Sequence, residues 1–337
     1  MLEQSGEDPI GAYRAAIGHM RIAVERAPQA PFLRLNLANA LGILAYALAQ
    51  RGQPDVELTR QAIAQLQEVV AAQPGRADAW HSLANSHWDL AMARSWRGED
   101  AQASIAEADR LFDHAATLAP TQLAIPFNHY NLSLFAAAEA LRDEQPAQHW
   151  LARAEALAAA IDARTQQDWI SPCPRAEYAL RRLQAATVAG RYEPATHAQA
   201  AALLERGLAA QPDSVDCARR RIELAAIALP FLDARRRQRE REAAAALQAR
   251  HPRSLEIHLA WAGVLAARAP VDPADAAALD AQIAALERDT GGNWIGRLRP
   301  LHARLAALAG EGRLPDAAGT GLIAEERAGR SAARPDH

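Results

Sequence analysis

Apolar side chains recur at intervals of three and four residues along the segment 77–95, which is the spacing of one face of an α-helix. The stripe predicted to be buried consists of Trp80, Leu83, Ala84 and His87. A second stripe, one step around the helix, consists of His81, Asn85 and Trp88. A helix with two such stripes packs against its neighbours along one and lines a surface along the other. The pattern therefore predicts a helix with a structural face and a chemically varied face.

A second periodic segment follows and ends at Pro120, with Ala108, Phe112 and Ala115 as its apolar positions. The combined pattern is W-x2-L-A-x2-H followed by A-x3-F-x2-A-x4-P, and it resembles the signature of the tetratricopeptide repeat (TPR) superfamily, a helix–turn–helix unit. Proline cannot continue the second helix, so it sets the turn into the next unit. The resemblance implies an all-α fold: a right-handed α-α superhelix, which is a TPR-like solenoid of antiparallel helix pairs.

The units recur at a regular interval. Prolines close the second helix at Pro28, Pro74 and Pro120, 46 residues apart each time, and the same interval separates Asn39, Asn85 and Asn131. A standard TPR unit has ~34 residues. The sequence therefore predicts an unusually long repeat of 46 residues, with a longer first helix and a longer loop between the two helices.

The third unit leaves its register open. The 46-residue interval aligns His129 with Leu83, whereas the local pattern aligns Leu132 with it, a shift of three. Residues three apart lie near the same helix face. We therefore expect Asn128 and Asn131 to face the groove in either register.

The match weakens toward the C-terminus, and it divides the chain. The two prolines on either side of Cys173 disfavour a helix start before Pro174. The predicted divisions are a frayed N-terminus at 1–8, a TPR-like α-solenoid at 9–309 with regular repeats over 9–166 and degenerate repeats and a capping helix over 167–309, and a disordered tail at 310–337.

Composition supports an all-α chain and removes several classes of function. Half of the residues are hydrophobic but only 5% are aromatic, and alanine supplies much of the apolar total, which favours helix. All 37 basic residues are arginine, which excludes chemistry that needs lysine, such as a P-loop or a Schiff base. The formal net charge of −3 gives no bias of the whole chain toward nucleic acid or membrane.

The number of cysteines and the length of the apolar segments indicate where in the cell the protein is expected to be. Cys173 and Cys217 are too few for a disulfide framework and lack metal-ligand spacing. The first ten residues carry acids and no basic region, unlike a signal peptide. The longest apolar run, residues 37–49, is interrupted by Asn39 and is too short to span a bilayer. We therefore expect a soluble, cytoplasmic protein without membrane insertion.

The TPR resemblance implies that the first helix of each pair lines a concave groove. The partner-binding candidates there are Asn36, Asn39, His81, Asn85, Trp88, Asn128 and Asn131, with Asp89 beside them. An asparagine amide both donates and accepts, so a ladder of asparagines hydrogen-bonds the backbone of an extended peptide. Such a ladder is similar to the TPR region of O-GlcNAc transferases. In the alternative interpretation the asparagines cap turns or face water, and Trp88 packs in the core.

An arginine-rich segment, residues 219–241, holds eight arginines and three acids. One interpretation is a patch for an acidic partner or a nucleic-acid backbone. The other, which we favour, is a solvated helix face in an arginine-biased protein. No aromatic residues alternate with the arginines, as stacking on single strands requires.

The leading functional hypothesis is a protein-protein interaction module that binds a segment of a partner polypeptide in the concave groove. The alternative is the substrate-recognition component of a protein- or peptide-modifying enzyme, or such an enzyme itself. A weaker alternative is nucleic-acid binding through residues 219–241. The sequence has no HExxH, GxSxG or GxGxxG motif and no EF-hand loop, so we predict no catalytic residue, no cofactor and no metal site. The partner's identity and the oligomeric state are left open.

Overall fold

The computed structural model describes residues 9–165, 170–268 and 273–310, and this part of the chain holds fourteen α-helices and no strand. The helices are α1 (Pro9–Arg26), α2 (Pro31–Gln50), α3 (Val56–Ala72), α4 (Ala77–Trp96), α5 (Gln102–Leu118), α6 (Ala124–Arg142), α7 (Gln148–Asp162), α8 (Pro172–Val188), α9 (Pro194–Ala210), α10 (Val215–Ala228), α11 (Ala234–Arg250), α12 (Leu255–Arg268), α13 (Pro273–Thr290) and α14 (Ile295–Gly310), with a short 3-10 turn at Leu229–Phe231. The predicted all-α fold class is confirmed. The predicted frayed segment 1–8 and all but the first residue of the predicted tail lie outside the described residues.

Consecutive helices form hairpins, and the hairpins stack. The packed pairs include α2 with α3, α4 with α5, α6 with α7, and α8 with α9, and neighbouring pairs meet through α3 with α4 and α5 with α6. Ala84 and Ala108 are completely buried where α4 crosses α5, and the equally buried Phe112 fills the remaining space. Small and bulky residues alternate at this crossing, which permits close packing. The result is a TPR-like solenoid of antiparallel helix pairs.

Helices α2, α4 and α6 end in the same kind of turn. Gly52 follows α2 with φ 76°, and Gly98 follows α4 with φ 75°. Behind each glycine, the next N–H donates back to a carbonyl five residues earlier, at 2.9 Å in both cases. This is the Schellman arrangement, which glycine adopts without a Cβ penalty. After α6, Glu144 takes the same position with φ 56°, although it is not a glycine.

Helix α8 begins earlier than the sequence predicts. It starts at Pro172, so Pro172 and Pro174 both lie in its first turn, where the missing N–H groups would have no helical partner. The expected start at or after Pro174 is therefore wrong.

The two cysteines form one disulfide, a single bond rather than a disulfide framework. Cys173 in α8 is bonded to Cys217 in α10, with Cα atoms 5.4 Å apart. Gly207 of α9 lies against both sulfurs, and a Cβ at that position would overlap them. The bond fastens two inner helices whose cysteines are 44 residues apart in sequence.

The C-terminal helices return to the start of the array. The predicted terminal helix is α14, and it packs against α12, α13 and also α4. The rings of Trp96 and Trp294 lie 5.7 Å apart at this contact. Gly296 approaches the backbone of Ser95 so closely that no Cβ fits between them. At the neighbouring turn, Gly52 lies against Thr290 in the same way. The solenoid therefore curves back on itself and encloses a central cavity.

Helix α2 corrects the expectation drawn from the apolar run at 37–49. The helix has 20 residues, and among the described residues it is the one helix long and apolar enough to cross a membrane by length and composition. In the structure it packs against α1, α3 and α4, with Leu37, Leu41, Leu44 and Leu48 buried. The helix is therefore long enough to span a bilayer, contrary to the expectation. Its position in the hydrophobic core accounts for its apolar composition.

Candidate central binding cavity

The central cavity has a volume of about 820 Å³ and is lined by the inner helices α2, α4, α6, α8, α10, α12 and α14. Its lining divides into two regions. The arginine–glutamate wall consists of Glu177, Arg181, Asp216, Arg219, Arg220, Glu223, Glu256 and Arg297. The aromatic wall consists of Tyr46, Trp88, Asp89, Met92, Asn131 and Phe135.

Glu177 is the centre of the arginine–glutamate wall. Arg181, one helical turn away, donates from Nε to Glu177 Oε1 at 2.6 Å, and Arg220 of α10 donates to the other oxygen. Arg219 adds an ion pair at 3.6 Å. Burial alone would raise the pKa of Glu177, but Arg181, Arg220 and Arg219 outweigh it and hold this pKa far below its usual range.

The network extends from Glu177 to the neighbouring carboxylate. Arg181 also donates from Nη2 to Glu223 Oε2 at 2.9 Å, and Arg219 donates to the other oxygen of Glu223. Each guanidinium is thus shared between two carboxylates, which satisfies charges that the cavity partly removes from water. The wall joins α8 to α10 electrostatically, next to the disulfide.

Arg297 completes this wall at the point where the solenoid closes. Its Nη2 donates to Glu256 Oε2 at 2.7 Å, and its guanidinium lies 4.7 Å from the ring centroid of Trp96 and 4.5 Å from that of Trp294. Burial acts to raise the pKa of Glu256, and Arg297 overcomes it, so that the pKa is lowered. An arginine between two tryptophan faces is a cation–π arrangement.

The arginine-rich segment is therefore only partly the solvated face we expected. Arg219 and Arg220 belong to the arginine–glutamate wall, and the buried Arg221 donates to Glu240 at 2.7 Å. The expectation is wrong for these three residues, because the carboxylates that pair with Arg219 and Arg220 include Glu177, more than 40 positions away. In the second half of the segment, Arg235, Arg236 and Arg239 are exposed.

The aromatic wall differs, because its polar side-chain atoms have no partner among the residues that the structure describes. Trp88 Nε1 is buried and donates to nothing in the described structure. Within the same described residues, the hydroxyl of Tyr46, the carboxylate of Asp89 and the amide of Asn131 make no hydrogen bond or ion pair. Burial between the helices raises the pKa of Asp89 to about 7, and no arginine lowers it.

Two of the predicted partner-binding residues, Trp88 and Asn131, line the cavity. Trp88 also packs against the main hydrophobic core, so its two interpretations are compatible. Asn36 and Asn39 lie outside the cavity lining, on the exposed surface of α2.

The other three candidates form a cluster between α4 and α6. Asn128 donates from Nδ2 to Asn85 Oδ1 at 3.2 Å and lies 2.9 Å from His81 Nε2. Burial lowers the pKa of His81, which favours the neutral imidazole that accepts a hydrogen bond. These side chains are thus already engaged with one another. In the ambiguous third unit, His129 and Leu132 are both buried, and Asn128 is the residue that meets Asn85.

Sequence reasoning identified α4 and missed most of the cavity. Tyr46 had a usable signal, since it lies seven residues after Asn39 on the same helix face. Glu177 and Arg181 had only an i, i+4 spacing, which is common on solvated helices. Within the described ranges, no group of three or more His, Cys, Asp or Glu side chains is arranged to hold a metal ion.

No protein-family model and no curated protein matches the chain. Among solved structures, a thermophilic TPR protein from Thermus thermophilus is similar at 20% identity, over 65% of this chain and 92% of that one, with a TM-score of 0.38. The helix pairs themselves give the chain its TPR-like architecture.

Proposed function

We propose that this chain is a protein-interaction module that binds a segment of a partner polypeptide along the inner helices, toward the central cavity. The observation that carries the proposal is an exposed row of side chains on α2. The row consists of Phe32, Asn36, Asn39, Ile43 and Tyr46. Phe32, Ile43 and Tyr46 are 56%, 51% and 54% exposed, which is unusual for large apolar side chains in a row.

The row has the chemistry that an extended peptide requires. Its spacing of three and four residues places it on a single face of α2, and Tyr46 at its end belongs to the aromatic wall. Apolar side chains provide burial on binding, while the free amides of Asn36 and Asn39 provide a donor and an acceptor for the peptide backbone. Asn39 and Asn131, which share a position in the proposed 46-residue repeat, would contact the same segment on two helices.

A selection from a random twelve-residue peptide library tests the proposal. The immobilised full chain is the target, and the enriched peptides are measured by isothermal titration calorimetry against wild type and the double variant Asn39→Ala/Ile43→Ala. We expect the double variant to bind at least about tenfold more weakly, since it loses an amide contact and an apolar contact of ~1 kcal/mol each.

The matched control is Leu118→Ala, which removes an exposed apolar side chain from α5, an outer helix. This variant should bind the same peptides as wild type does. Equal affinity for wild type and the double variant, or equal weakening in both variants, would show that the row on α2 is not the binding surface. Circular dichroism of each variant verifies that helicity is unchanged.

A further inference from the structure

We propose that the aromatic wall binds a cationic side chain, lysine or arginine, of the partner segment, with Asp89 as its counter-ion. This inference rests on the proposed function and deepens it, because it names the chemistry that the cavity recognises. It follows from the balance of charges in the lining, the position of Asp89 and the rings around it.

The arginines and carboxylates that line the cavity almost balance in charge, and Asp89 is the carboxylate that has no arginine partner among the described residues. The arginines are Arg142, Arg181, Arg219, Arg220 and Arg297. The carboxylates that contact them are Glu139, Glu177, Asp216, Glu223 and Glu256. Asp89 lines the same cavity and contacts none of these arginines. When it is ionised, the cavity carries one negative charge without a partner, and a bound cation would neutralise it.

Asp89 lies between the central cavity, which has room for a side chain, and a small recess of about 10 Å³ behind it. Its Oδ2 faces Gly42 of α2, where a Cβ would come within 3.7 Å. Tyr46, Met92 and Trp96 line the same recess, which is continuous with the larger cavity through these residues. The carboxylate therefore borders the cavity, among aromatic and thioether side chains and without an arginine in contact in the described structure.

Aromatic faces attract cations, and the cavity already contains an example. Arg297 lies over Trp96 and Trp294, with its charge shared with Glu256. Tyr46, Trp88 and Phe135 line the same cavity as Asp89, and none of these three rings has a cation over it in the described part of the chain. A carboxylate next to aromatic faces favours an alkylammonium or guanidinium group over a neutral one. The chain contains no lysine, so it cannot supply an alkylammonium side chain itself.

The site should depend on pH, because burial raises the pKa of Asp89 to about 7. The titratable and charged groups that line the cavity or the recess with it are Tyr46 of α2, Asp55 of α3, Glu139 and Arg142 of α6, Glu177 and Arg181 of α8, Asp216, Arg219, Arg220 and Glu223 of α10, Glu256 of α12 and Arg297 of α14. Burial, Glu256, Asp216 and Asp89 raise the pKa of Tyr46, so its hydroxyl stays neutral near pH 7. A cation binds the ionised form of Asp89, so affinity should fall about tenfold from pH 8 to pH 6.

Titration calorimetry of the full chain tests this with matched probes. The peptide probes are acetyl-Ala-Ala-Lys-Ala-Ala-amide and the same peptide with norleucine in place of lysine, which has the same apolar stem without the charge. Tetramethylammonium and butylammonium serve as free cations. The protein variants are Asp89→Asn, which keeps the shape of the side chain, and Glu68→Gln, which removes an exposed acid from the outer helix α3.

We expect the lysine peptide to bind wild type and Glu68→Gln equally, and Asp89→Asn at least about tenfold more weakly, without the pH dependence. The norleucine peptide should bind weakly and without regard to Asp89. Carbodiimide cross-linking of the lysine peptide should modify Asp89. Because the chain has no lysine, a cross-link to the probe's side-chain amine is easily identified.

The inference is overturned if no cation binds, if Asp89→Asn binds the lysine peptide as tightly as wild type does, or if norleucine replaces lysine without loss. A different result separates it from the proposed function. If the free cations bind through Asp89 while no lysine peptide binds, the cation site stands as a small-molecule site and the polypeptide proposal fails.

Discussion

The two walls of the central cavity both carry polar groups but arrange them in opposite ways. In the arginine–glutamate wall, Glu177 receives Arg181 and Arg220 directly, and Arg219 links it to Glu223. In the aromatic wall, Asp89 and Trp88 Nε1 have no partner in the described structure. Both walls lie on inner helices of the same solenoid, so the difference is not one of fold.

The comparison separates charges that stabilise the protein from charges available to a ligand. A buried charge without its partner is costly, so a network like that around Glu177 fixes the positions of α8 and α10. An unpaired carboxylate such as Asp89 costs stability and is best explained by a task performed with a ligand. The predictions below test this contrast, in order of decreasing effect.

Removing the charge of Glu177 should produce the largest effect. Glu177→Gln would leave three guanidinium groups without their shared carboxylate, and we expect a loss of about 3–5 kcal/mol in the free energy of unfolding. Denaturant titration at pH 7 measures it, with the exposed Glu68→Gln as the control, expected to change by less than about 0.5 kcal/mol. A loss of less than about 1 kcal/mol would mean that the network contributes little to stability.

Breaking the disulfide should have the next largest effect. Cys173→Ser/Cys217→Ser removes a bond that closes a loop of 44 residues, and we expect a loss of about 2–4 kcal/mol. Comparing oxidised and reduced wild type gives an independent value, which should agree with that of the variant. Free-thiol labelling in cells also bears on the predicted cytoplasmic location, since disulfides are rare in the cytosol. Full labelling of both cysteines in cells would mean that the bond does not form there.

Disturbing the contact of α14 with α4, where the solenoid closes, should lower the free energy of unfolding by a smaller amount. In Gly296→Ala the new Cβ meets the carbonyl oxygen of Ser95, so α14 must shift away from α4, and we expect a loss of about 1–3 kcal/mol. Hydrogen exchange should increase in α14 and at the C-terminal ends of α2 and α4. Gly18→Ala, where nothing lies within 4 Å of the new Cβ, should be neutral or stabilising. Unchanged exchange at α14 would contradict the closed arrangement.

Asp89→Asn should stabilise the protein, but only at high pH. The pKa of Asp89 is about 7 in the folded protein, against ~3.9 in an unfolded chain. The folded state therefore binds the extra proton between these values, and wild type loses stability as the pH rises from about 4 to 7. The variant avoids this loss, and after allowance for solvent screening we expect a gain of about 1–2 kcal/mol at pH 8 and none at pH 4. Denaturant titrations at the two pH values measure it, and an equal gain at both would mean that ionisation of Asp89 is not the cause.

The fold was largely predictable because the apolar pattern that specifies each helix lies within the sequence of that helix. The stripe that contains Leu83 and Ala84, and the matching Ala108 and Phe112, appear in sequence at helical spacing, and all four are buried. The start of α8 was missed because proline was taken as a barrier, whereas the first turn of a helix accepts it. Of the candidate site, Trp88 and Asn131 could be placed on an inner face from periodicity alone.

The sequence by itself determined the helices and their pairing, because each depends on residues within a few turns of one another. Only the tertiary structure decided that Trp96 meets Trp294, that Cys173 meets Cys217 and that Glu177 collects Arg219 and Arg220. These contacts join residues 42 to 198 positions apart. Small rotations between successive helix pairs add up along the solenoid and bring these residues together. A local sequence pattern does not contain information about that total rotation.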